Sequence, residues 1–149
     1  MKFTYRFNSI LKIKEKIEEE KKYALASQQR TCDMEKENLN RLLEKKNAIT
    51  SKKNQLTRNN NIVKIRELKN ASQDIQFIND LIDNQTIRVE QQEKRVVGCR
   101  EELIVAKKQK KIYEKIMEKD YQNFKQQEFK KEAAFIDQLV TYKSTVRGG

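Results

Sequence analysis

The stretch Ile75-Gln-Phe-Ile78-Asn-Asp-Leu-Ile82-Asp-Asn-Gln85-Thr-Ile-Arg-Val89-Glu-Gln-Gln92-Glu-Lys-Arg-Val96-Val-Gly-Cys99-Arg-Glu-Glu-Leu103-Ile-Val-Ala106 places an apolar or small residue, or in two cases a glutamine, at alternating steps of three and four. That is the spacing of one helix face against a partner helix. The same steps continue through Lys110, Tyr113, Met117, Asp120, Phe124 and Gln127, so that eleven of sixteen positions are apolar or cysteine in a chain where 36% of residues are. The pattern runs for more than seven heptads, which is the signature of a coiled coil.

A second seam precedes it at Phe3, Phe7, Ile10, Ile17 and Ala24, and resumes at Cys32, Leu39, Leu42, Ile49 and Leu56. Lysines stand at its positions 14, 21, 46 and 53, where their stems can lie along the seam while the ammonium reaches water. From Ala24 through Gln28 to Cys32 the steps are four and four, a local eleven-residue spacing that relaxes a left-handed supercoil. Between the seams, Thr57-Arg-Asn-Asn-Asn61 favours local side-chain hydrogen bonds over helix, and Ser72 with Asp74 behind it suits a helix start.

The expected fold is therefore all-α: two long helices forming an antiparallel coiled-coil hairpin with a C-terminal helical overhang. As one coiled-coil domain over 1–149, it has helix one over about 3–57, a connector over about 58–72, helix two over about 73–143 and a tail over 144–149. A fold about residue 65 or 66 sets residue i opposite about 131 minus i. Glu18-Glu19-Glu20 then face Lys107, Lys108, Lys110 and Lys111, Lys52 and Lys53 lie near Asp80 and Asp83, and Cys32 comes level with Cys99. In that register the first helix covers the second to about residue 128. Phe135, Ile136, Leu139 and Tyr142 lie beyond, an unpaired apolar stripe that implies another protein.

Composition supports helices and excludes most chemistry. The chain has no proline, and two of its three glycines are Gly148 and Gly149. Without histidine, and with Cys32 and Cys99 spaced neither as a metal knuckle nor as a redox pair, no thiolate–imidazole zinc site is expected and no cofactor is called for. No nucleotide loop has the glycines it needs, and scattered carboxylates on exposed faces offer no desolvated acid–base pair. The expectation is a non-enzymatic protein with no small-molecule substrate. No apolar run approaches the length of a membrane span and no signal-peptide stretch follows Met1, which predicts a cytoplasmic protein. The net charge of +11 is spread as +6 over residues 1–57, +3 over 58–73 and +2 over 74–149, a weak case for nucleic acid.

Three segments, Phe3-Thr-Tyr-Arg-Phe7-Asn-Ser-Ile-Leu11-Lys-Ile-Lys-Glu15, Gln76-Phe77-Ile78-Asn79-Asp80-Leu81 and Lys131-Glu132-Ala-Ala-Phe-Ile-Asp137-Gln-Leu, in this order and spacing, resemble the FliJ family of flagellar export proteins. The resemblance implies a stalk of the flagellar type III secretion apparatus, similar in shape to the gamma stalk of rotary ATPases, peripherally associated with the inner face of the cell membrane at the flagellar base. It implies binding of the export ATPase FliI through Phe7, Leu11, Phe135 and Leu139, and of the export gate FlhA through Phe77, Leu81, Leu42 and Ile49. Secretion chaperones are further partners it suggests. This sequence departs from some relatives in having Lys45 and Ile49 where aromatics occur. The competing expectation is a generic basic coiled-coil adaptor or nucleic-acid-associated structural protein, which would bind DNA with a steep salt dependence.

Overall fold

The computed structural model describes residues 2–58 and 65–148. Two helices account for nearly all of them: α1, Asn8–Arg58, and α2, Ile65–Gly148, packed against each other, with no strand among the described residues. The packing groups the chain into two compact units, one formed by Met1–Glu20 with Ile104–Gly149, the other by Lys21–Leu103.

In the unit Lys21–Leu103, the predicted face of α2 is the buried one. Ile78, Val89 and Val96 are core residues, and Ile75, Ile82 and Cys99 are half-buried between them. The antiparallel pairing is fixed by polar side chains inside the seam. Gln92 Nε2 donates to the backbone carbonyl of Gln28 at 3.2 Å, and Gln85 Nε2 donates to that of Glu35 at 2.9 Å and to the Glu35 carboxylate. Both glutamines are buried, so each amide must find partners there, and each finds them on the opposite helix. At the surface, Lys21 Nζ meets Glu102 Oε2 at 3.0 Å and Lys36 Nζ meets Glu93 Oε1 at 3.4 Å, exposed pairs that add little stability.

These contacts correct the predicted register. Residue i of α1 lies opposite about 121 minus i, so Cys32, flanked by Gln28 and Glu35, is level with Val89 between Gln92 and Gln85. Cys99 lies ten residues further along α2, roughly 15 Å at the helical rise, and both thiols are free. The offset from the predicted pairing is close to one and a half heptads, a slip that keeps seam facing seam.

The seam of α1 is also displaced by one residue over part of its length. Leu11, Glu18 and Cys32 are buried and Lys14, Lys21, Leu25 and Gln28 half-buried, a regular three–four spacing without an eleven-residue insertion. Ile10 and Ala24, placed in the core from their apolar character, are exposed, and Ile17 sits half-buried beside Glu18.

Element boundaries differ from expectation for related reasons. The second helix begins at Ile65 and not near 73, because Leu68 and the buried Ala71 extend the three–four spacing back from Ile75 and Ser72 lies within the helix. The predicted connector residues 59–64 lie outside the described residues. At its other end α2 runs to Gly148, past the predicted end at 143, and Thr145 Oγ1 donates to the Thr141 carbonyl within it.

In the unit of Met1–Glu20 and Ile104–Gly149, the first helix starts at Asn8, five residues later than expected. Phe3, Tyr5 and Phe7 alternate with polar residues, the period of extended chain rather than helix. Phe3 packs between Tyr121 and Phe124 at 5.3 and 5.5 Å between ring centroids, Phe7 meets Tyr113 edge-on at 6.2 Å, and Tyr5 Oη donates to the Tyr113 carbonyl at 2.8 Å. Extended chain rises about twice as far per residue as helix, so five residues cover α2 from Tyr113 to Phe124. The cover ends near Glu128, as expected, but by this extended arm and not by helix.

The same unit holds an ion pair in its seam between the half-buried Lys110 and the buried Glu18, Nζ to Oε2 at 2.6 Å, with Lys14 Nζ donating to Gln109 Oε1 at 3.0 Å. The Glu18 hydrogen bond holds the Lys110 ammonium above its ordinary value of 10.5. A raised lysine stabilises the fold fully below the unfolded value and loses that contribution as pH rises through the folded value. The melting-temperature advantage of the native protein over Glu18→Gln is therefore expected to be constant from neutral pH to about 10 and to shrink in more alkaline buffer. A gap that instead widens there in a circular-dichroism melt series would exclude this coupling.

Candidate docking surfaces

The residues expected to meet the export gate fall into two kinds. Phe77 is 65% exposed and Leu81 is exposed beside it, one turn apart on a face of α2 next to the seam that Ile75, Ile78 and Ile82 occupy. Leu42 and Ile49 are half-buried at seam positions of α1 and face α2. In the pairing that joins Glu35 to Gln85, Leu42 is level with Ile78, whereas Ile49 is level with Ala71, about 10 Å away along the helix. Phe77, Leu81 and the edge of Leu42 thus share one level, and Ile49 does not.

The residues expected to meet the ATPase also separate. Leu11 is 5% exposed and Phe7 is half-buried among Tyr5, Arg6 and Tyr113, with the Arg6 guanidinium 4.7 Å from its ring centre. Both belong to the packing of the helix pair. Phe135 and Leu139 are exposed on α2, and every described residue from Phe129 onward is exposed with them. Phe135 lies twenty-two residues beyond Tyr113, roughly 33 Å along the helix, so the four do not form one patch.

What the end of α2 does present is a stripe at four-, three- and four-residue steps: Phe135, Leu139, Tyr142 and Val146. Val146 escaped the sequence reading because the helix was ended at 143, although the i+4 step from Tyr142 pointed to it. An unpaired apolar face on a preformed helix is suited to lie in a partner's groove.

Among the described residues no helix is long and apolar enough to cross a membrane, and no group of three or more Cys, Asp or Glu side chains is placed to hold a metal ion. The open hollow lined by Phe3, Tyr5, Met117, Glu118 and Tyr121 is mostly apolar.

No curated protein and no solved structure matches the chain. The family model described as Flagellar FliJ protein matches residues 1–149. With the whole chain matched, this helix pair belongs to the FliJ family, a component of the flagellar export apparatus.

Proposed function

We propose that within the flagellar export apparatus this chain is a non-enzymatic stalk that binds the export ATPase FliI through the uncovered end of α2 and the export gate FlhA through the lateral stripe of Phe77 and Leu81. The observation that carries this reading is the end of α2: about five turns of helix with no cover from α1 and an apolar stripe from Phe135 to Val146. Keeping four large apolar side chains in water is unfavourable unless a partner removes them from it.

The packed seam narrows the surfaces. ATPase contact falls to Phe135 and Leu139, with Phe7 and Leu11 holding the arm and α1 against α2. Gate contact falls to Phe77 and Leu81, with Leu42 and Ile49 supporting the helix beneath. No chemistry is assigned to the chain, and association with the membrane would come through its partners.

A pull-down with purified ATPase and gate domain, coupled to an ATPase-stimulation assay, tests the proposal. Binding of both and a raised turnover are expected. Binding of duplex DNA with a steep salt dependence, and indifference to the ATPase, would favour a basic adaptor instead.

A further inference from the structure

The two flanks of the helix pair in the unit of Met1–Glu20 and Ile104–Gly149 have opposite character. Numbering the heptad so that Leu11 and Glu18 in α1, and Leu103 and Lys110 in α2, are a positions, the e and b flank is mostly charged, with Lys12, Glu15, Glu19, Lys107, Lys111 and Glu114 exposed between Ile104 and Tyr121. The c and g flank carries Ile10, Ile13 and Ile17 from α1 and Val105, Ile112 and Ile116 from α2. Ile13, Val105 and Ile112 are each more than half exposed, and Ile10 is exposed at the seam edge. The Lys14 to Gln109 hydrogen bond ties a d position of α1 to a g position of α2, so the c and g flanks of both helices lie on one side. It also sets Lys14 beside Gln109, with Ile10 toward Ile112 and Ile17 toward Val105.

Leu11, Glu18, Ala106 and Lys110 occupy the seam; Ile17 and Ile116 are half-buried at its edge, and the other four face outward. Six branched aliphatic side chains along one flank of a helix pair are what a third helix packs against. All six are β-branched and stiff at χ1, so docking would cost little side-chain entropy.

The rim tells which helix fits. Exposed Lys16, Lys108, Lys115 and Lys119 border this flank against one carboxylate, Glu20. A second copy presenting the same face would bring lysines against lysines, an arrangement that opposes self-association. We propose that this isoleucine flank is a docking groove for an amphipathic helix of a partner protein, with an apolar stripe edged by Asp and Glu. The site is separate from the Phe135 and Leu139 stripe and does not depend on that stripe's assignment.

The probe is a synthetic helix of roughly four turns with Leu and Ile at i, i+4, i+7 and i+11 and glutamates on both edges, compared with a lysine-edged twin, by fluorescence anisotropy on the full chain. The glutamate-edged peptide is expected to bind at least about tenfold more tightly than its twin, a difference of about 1.4 kcal/mol. Ile13→Asp with Ile112→Asp is expected to abolish that binding at unchanged helicity. Lys16→Glu with Lys115→Glu, which leaves the groove floor intact, is expected to reverse the preference between the peptides. Phe135→Ala with Leu139→Ala should bind the peptide as the native chain does. Equal binding of the two peptides, retention in the Ile13→Asp/Ile112→Asp variant, or loss in the Phe135→Ala/Leu139→Ala variant would overturn the proposal. So would a dimer in light scattering that Ile13→Asp dissolves.

Discussion

Alanine at both Phe135 and Leu139 lowers affinity for the export ATPase at least about thirtyfold and removes its stimulation, while unfolding free energy stays within about 0.5 kcal/mol of the native value. The size of the first effect follows from the concentration of binding energy in a few large side chains at the centre of an interface. The smallness of the second follows from exposure: neither side chain packs on α1 or on the extended arm. The matched variant, Phe77→Ala with Leu81→Ala, should spare the ATPase and weaken the gate. Full ATPase stimulation by the Phe135→Ala/Leu139→Ala protein would remove the main support for the proposed stalk function. A steep fall in its melting temperature would mean that the end of α2 has an internal partner after all.

The second large effect concerns neighbours in sequence. Val96 is 5% exposed in the seam and Val97 is half exposed on the outer surface of α2. Val96→Asp puts a carboxylate into an apolar layer with no cation assigned to it, and is expected to destabilise by about 3 kcal/mol or more. Val97→Asp adds a charge in water and should change stability by no more than about 0.5 kcal/mol. Urea midpoints measured side by side decide the matter. Equal losses at the two positions would mean that the seam of α2 is not where the three–four spacing puts it.

The difference between those valines was legible in the sequence because α2 is long and its apolar residues recur without interruption. Phase errors average out over many heptads. In α1 two tracks one residue apart compete: Ile10 precedes Leu11, Ile17 precedes Glu18 and Ala24 precedes Leu25, and the track that avoids Glu18 is displaced from the true seam and carries a false eleven-residue step. Nothing in composition marks Glu18 as buried. It is tolerated inside because Lys110 reaches it from the other helix, a partnership visible only once the helices are paired.

Register was the least legible feature. A heptad seam accepts slips of about half a heptad without exposing its apolar face, so the choice rested on charge, and matched blocks of lysine and glutamate occur at more than one offset. The register is carried instead by Gln85 and Gln92, whose amides reach carbonyls across the seam, a role no periodicity reveals. The exposure of the candidate docking residues was half legible for a similar reason. Phe77, Leu81, Phe135 and Leu139 are exposed because they fall off the seam or beyond its partner. Leu11, Leu42 and Ile49 fall on it and are spent in packing.

The antiparallel register underlies the whole account, because it decides which part of α2 is covered and which is left for partners. It is tested most directly by cross-linking cysteines introduced along the helix pair in a Cys32→Ser, Cys99→Ser background, with a short bifunctional thiol reagent and mass mapping of the monomer. Lys21 and Glu102 are in contact across the pair, so Lys21→Cys with Glu102→Cys should link within one chain. Lys21→Cys with Lys110→Cys, the combination demanded by a fold about residue 65, should not. A link in the second protein and none in the first would contradict the register and the assignment of the uncovered end with it.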